Sequence, residues 1–179
     1  LIRIIILTLF LFLGSCSTTQ KQMVNLFYSP HSWQIIDSDE APSADRVSQA
    51  VTIFYRQWQK TFGDKEGRIK KNLNELMIEW SSKEKAHESI ERNKSGQTVI
   101  TRKIVKGMTI CPTYIWLKTN QYKRVFASSL VHELVHVALW TQVCRGGDPD
   151  HEEGYPPCWT SQHNKFIRHV NKLLIQFDI

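Results

Sequence analysis

No internal repeat and no extended low-complexity segment occurs anywhere in this chain, which excludes a solenoid array and a long disordered tail. A long apolar run is missing too. The longest, residues 4–13 (IIILTLFLFL), is about half of the roughly 20 residues that a bilayer-spanning helix needs. Charge of one sign is not gathered into a block. The formal net charge is +6 and the pI about 9.2, but the basic residues lie along the whole sequence. That pattern describes a solvated surface better than a nucleic-acid footprint. Cysteine is sparse, with 4 in 179 residues, so the fold must rest on an apolar core and not on a disulfide framework.

What is present begins at the N-terminus. One basic residue (Arg3), the apolar run and the small residues after it fit a secretory signal of which 1–15 would be removed. The sequence Leu13-Gly14-Ser15-Cys16 resembles a bacterial lipobox, in which the cysteine is lipidated and becomes the first mature residue. The resemblance implies a lipid anchor on Cys16, a tether over 16–22 and a single domain over 23–179. Ser17, a non-acidic residue after the cysteine, implies the outer membrane and its periplasmic face. In such an oxidising compartment Cys144 and Cys158, which bracket RGGDPDHEEGYPP, are expected to pair, although a pairing through Cys111 fits the spacing too.

Periodicity then gives the elements. Ser43 suits the cap of a helix over 44–62 with Val47, Val51, Phe54, Tyr55 and Trp58 on one face. Residues 23–44 read as irregular, and the charged stretch SKEKAHESIERNKSG as a solvated loop or short helix. Strands are expected over 98–106 and 114–118, a helix over 123–144 ended by Gly146-Gly147, and a last helix over 161–177 capped by Thr160. This order predicts an α+β domain with a small, mostly antiparallel sheet.

The segment SSLVHELVHVALW carries the chemistry. His132-Glu133-Leu134-Val135-His136 matches H-E-x-x-H, in which residues four apart stack on one helix face and reach one cation while the Glu stands beside it. Neutral imidazole suits zinc, and a zinc hydrolase needs a third protein ligand. The extended metzincin pattern fails, because Leu139 and Gln142 stand where it requires Gly and His. His163 is the preferred third ligand, since it falls on the apolar stripe Phe166, Ile167, Val170, Leu173, Leu174 and Phe177 and so points inward; His169 lies off that stripe. His151, Glu152 and Glu153 in the acidic loop remain alternatives, and the loop's acids lack the EF-hand order. Tyr155 is a candidate donor to a developing oxyanion, with packing on Trp159 as its other role.

FASSLVHELVHVALW, followed after a variable loop by HNKFIRHVNKL, resembles the SprT-like zinc metallopeptidases and related minimal gluzincin-fold enzymes. The likeness covers about residues 104–175. It implies a zincin-like fold, Zn²⁺ held by His132, His136 and His163, Glu133 as catalytic base, and a protein or peptide substrate. The segment GMTICPTYIWLK resembles the strand that runs beside the zinc helix in such folds. No zinc ribbon or DNA-binding extension accompanies it, and the lipobox argues against a nucleic-acid partner. The competing expectation is a non-catalytic envelope lipoprotein whose metal only staples the fold.

Overall fold

The computed structural model describes residues 23–25, 32–36, 40–92, 95–149, 151 and 158–179. The expectations for the signal segment, Cys16, Glu152, Glu153 and Tyr155 lie outside these residues. Among the described residues no helix is long and apolar enough to cross a membrane.

The architecture is α+β. Among the described residues four α-helices, α1 (Ala44–Thr61), α2 (Arg68–Asn74), α3 (Leu130–Leu139) and α4 (Ser161–Gln176), accompany seven strands. These are β1 (Met23–Asn25), β2 (Ser32–Ile36), β3 (Leu76–Ser81), β4 (Lys85–Arg92), β5 (Thr98–Val105), β6 (Gly107–Cys111) and β7 (Tyr114–Lys118). Five form one sheet in the order β1-β2-β3-β7-β6, while β4 and β5 form a separate two-stranded ribbon. The expected antiparallel character holds at the margins only. The β2–β3 and β3–β7 pairings are parallel, whereas β1–β2 and β6–β7 are antiparallel. The cause is topological: α1 and α2 form the crossover between β2 and β3, and a long excursion through the ribbon and β6 separates β3 from β7.

The core lies between one face of the sheet and α1, α3 and α4. Alternation along β3 and β7 turns Leu76, Ile78, Trp80, Ile115 and Leu117 into it. From α1 it takes Val47, Val51, Phe54 and Trp58, and from α4 Phe166, Val170 and Leu174, with Phe54 and Phe166 meeting edge to face at 5.5 Å. Each such side chain contributes roughly 1.5–3 kcal/mol by leaving water. Helix α3 is buried on almost every side, which is why its sequence shows so little polar face.

Several elements differ from expectation. The helix carrying H-E-x-x-H spans ten residues and stops at Leu139, well before Gly146. Trp140 turns extended, and Arg68 of α2 donates to the carbonyls of Ala138 (3.1 Å) and Trp140, taking up acceptors that the helix end leaves open. The charged stretch forms β4 instead of a loop or helix, because it pairs along its full length with β5. Residues expected to be irregular contribute β1 and β2, and Gly107 begins a separate strand at the sheet edge.

Candidate metal centre

Helix α3 presents His132 and His136 one turn apart, and the backbone beyond it folds back to add a third imidazole. That third group is His151. The ligand atoms of His132, His136 and His151 all lie within 4.8 Å of one another. His136 Nε2 is 3.2 Å from His132 Nε2 and 3.2 Å from His151 Nε2. Tetrahedral zinc with Zn–N of about 2.0–2.1 Å has ligand atoms roughly 3.3–3.4 Å apart, so the two separations from His136 are close to those of ligands on one cation.

The protonation pattern agrees. His136 Nδ1 is 2.7 Å from the carbonyl oxygen of Gly147, which can only accept, so Nδ1 carries the proton and Nε2 offers its lone pair to the centre. Burial pushes the His132 pKa down to about 3, helped by the neighbouring His136 and His151. Burial likewise holds His136 at about 4, against the hydrogen bond to Gly147 and the charge of Asp148. Both rings are neutral near pH 7, the form that binds metal.

The loop that delivers His151 is held at several points. Cys144 and Cys158 form a disulfide with Cα atoms 5.6 Å apart, closing the loop at its base. Asp148, buried and in the left-handed region at φ 63°, accepts from the Trp159 backbone N–H at 2.9 Å. The Trp159 indole stacks on His151 at 4.1 Å and packs against His136 and His132 at 4.8 and 5.0 Å. Gly147 makes the closest approach. Its φ is +70°, and a Cβ there would stand 2.0 Å from the His136 carbonyl oxygen.

His163, the expected third ligand, is elsewhere. Its inward orientation was read correctly, since it is 6% exposed, but the ring stacks on Phe62 and Trp58 at 4.8 and 5.8 Å. Its Nδ1 accepts from the Thr160 backbone N–H at 2.9 Å, so the side chain serves the cap of α4. An inward histidine on an apolar stripe is here satisfied by a helix start and aromatic faces. The sequence signal for His151 was its place inside a loop anchored at both ends by cysteine.

Glu133 stands beside the cluster, 4% exposed. Burial raises its pKa to about 7, partly offset by Thr109, whose hydroxyl lies 2.9 Å from Oε2. The same hydroxyl is 3.0 Å from the Glu133 carbonyl, tying α3 to β6. Gly107 makes room for the carboxylate: a Cβ there would sit 2.6 Å from Oε1. A cleft of about 450 Å³ opens over Glu133 and the three imidazoles, walled by Met108 and Ile110 of the edge strand and by Trp140 and Pro149. Sequence reasoning gave Thr109 and Gly107 no role at the site, took Gly147 only as a helix terminator and Asp148 only as one of the loop's acids, because their roles depend on tertiary contacts that no local pattern marks.

Three imidazoles with convergent nitrogens, and a carboxylate at the rim of the same cleft, can hold a divalent cation and accept a proton beside it. No protein-family model matches the chain, and neither a curated protein nor a solved structure matches it.

Proposed function

We propose that the chain is a zinc-dependent metallopeptidase with a zincin-like fold, acting on proteins or peptides in the bacterial cell envelope. The observation that carries the proposal is the 3.2 Å convergence of imidazole nitrogens next to a buried carboxylate in an open cleft. His132, His136 and His151 would hold the ion, and His163 is not among its ligands. When bound, zinc supplies Lewis acidity, polarising a carbonyl and making water easier to deprotonate. Glu133 takes the proton from water as it attacks the scissile carbonyl and passes it to the departing amine. A pKa near 7 suits a group that must accept and then release a proton. The Thr109 hydroxyl holds that carboxylate beside the cleft, and Gly107 leaves it room.

The SprT-like resemblance of the α3 segment is compatible with this reading, and the envelope location rests on the lipobox-like N-terminus. A closed structural site is less well supported. Such sites take four protein ligands, often with cysteine, whereas Cys144 is committed to a disulfide and the three imidazoles line a cleft. The test is zinc content and cleavage of unfolded protein and peptide libraries for the parent and Glu133→Gln. One equivalent of zinc in both, with cleavage lowered at least about 10³-fold in the variant, is expected. Equal cleavage by the two removes Glu133 from the mechanism.

A further inference from the structure

The ribbon of β4 and β5 stands apart from the five-stranded sheet and has two unlike faces. The pairs His87↔Lys103 and Lys85↔Val105 belong to one face, and His87 and Val105 line the cleft. Alternation puts Ala86, Glu88, Ile100, Arg102 and Ile104 on the other, where the pairs are Ala86↔Ile104 and Glu88↔Arg102. Ile100 and Ile104 are each 67% exposed, an unusual surface for two β-branched apolar side chains on one strand. The ribbon and its flanks are also net basic. Residues 83–106 contain seven Lys and Arg against three Glu, so this short segment carries +4 of the chain's formal +6.

We infer that the outer face of the β4–β5 ribbon is a docking surface for an anionic lipid bilayer. Ile100 and Ile104 flank Arg102 on this face, and Lys85 and Lys103 stand on the other side of the same two-stranded ribbon, so apolar side chains and nearby positive charge suit the two layers of a membrane interface. The isoleucines enter the acyl boundary, while the positive charge of the ribbon meets phosphate headgroups. A nucleic-acid duplex would answer the charge but offers Ile100 and Ile104 no apolar phase. Because the opposite face of the ribbon lines the cleft, docking would hold the His132–His136–His151 site at a fixed distance from the lipid surface, on the side turned away from it. The inference does not depend on the metal site being catalytic.

The experiment is hydrogen–deuterium exchange on the full chain, alone and with vesicles of phosphatidylcholine or of equal parts phosphatidylcholine and phosphatidylglycerol. Parent and Ile100→Ser/Ile104→Ser are compared, and vesicle binding is followed by sedimentation. Expected is at least about three-fold slower exchange over residues 85–105 with anionic vesicles alone. That slowing should vanish at about 0.5 M salt and in the double variant, even if the variant still sediments through its apolar N-terminal segment. Unchanged exchange over 85–105 while the parent is vesicle-bound overturns the inference. So does equal slowing on pure phosphatidylcholine, slowing by duplex DNA instead of vesicles, or slowing that appears without lipid as protein concentration rises, which would mark a contact between copies.

Discussion

Replacing Gly147 with alanine tests how the third imidazole is held. Two costs arise at this position. At φ +70° an L-residue costs about 1–2 kcal/mol relative to glycine. The added carbon would also stand 2.0 Å from the His136 carbonyl oxygen, more than 1 Å inside ordinary contact, and both partners are backbone. The loop must retreat from α3, which breaks the 2.7 Å bond from His136 Nδ1 to Gly147, worth about 1 kcal/mol. The sum is about 2–3 kcal/mol, or a fall in Tm of about 4–12 °C for a chain of this size. Loss of the partner that orients a ligand histidine typically weakens metal binding about 10–100-fold. Gly146→Ala is the control, because its φ is +68° but the nearest atom to its added carbon is Pro149 Cδ at 3.2 Å. It should lower Tm by about 2–8 °C from the backbone cost alone, less than Gly147→Ala measured beside it, and leave zinc affinity within about three-fold. The assays are thermal unfolding of metal-free protein and competition with a chromophoric chelator. If the two variants match in both, the close approach of Gly147 to α3 does not organise the site.

Three further outcomes follow from the same structure. Cys144→Ser/Cys158→Ser should destabilise the metal-free protein by about 3 kcal/mol in calorimetry, and should weaken zinc binding because His151 loses the closure of its loop. Burial lowers the pKa of His163 from 6.5, so the unfolded chain takes up a proton there before the folded one does. Its contribution to stability is therefore complete above about pH 6.5 and is lost as pH falls below that value. Denaturant titrations should find His163→Gln less stable than the parent at pH 7.5, with the gap narrowing at pH 5. Arg68→Met removes the donors to Ala138 and Trp140, and since Arg68 is exposed the loss should stay below about 1 kcal/mol, seen as early fraying of α3 by amide exchange.

Much of the frame was legible because burial leaves a periodic trace. Helix α1 was expected over 44–62 and spans Ala44–Thr61; α4 was expected over 161–177 and spans Ser161–Gln176. Each shows one apolar face and a recognisable cap. The ribbon was hidden for the opposite reason. KAHESIER mixes charge with apolar residues, and on its described part Lys85, Ala86 and His87 are all half-buried with only Glu88 exposed, so no clean alternation marks it. At the site, H-E-x-x-H was readable because both histidines sit on one helical turn. His151 was harder, since a loop residue has no period and its position follows from the disulfide, Asp148 and Trp159 acting together. His163 satisfied the same inward pattern while answering to the start of its own helix.

The three imidazoles are near neighbours along the chain, separated by 4 and then 15 residues. A denatured polypeptide therefore keeps its whole donor set within one short loop, whose closure costs little entropy. Metal should grip that segment before the sheet has formed, and the stabilisation it confers on the native state should fall short of its native affinity by whatever it gains from the unfolded chain.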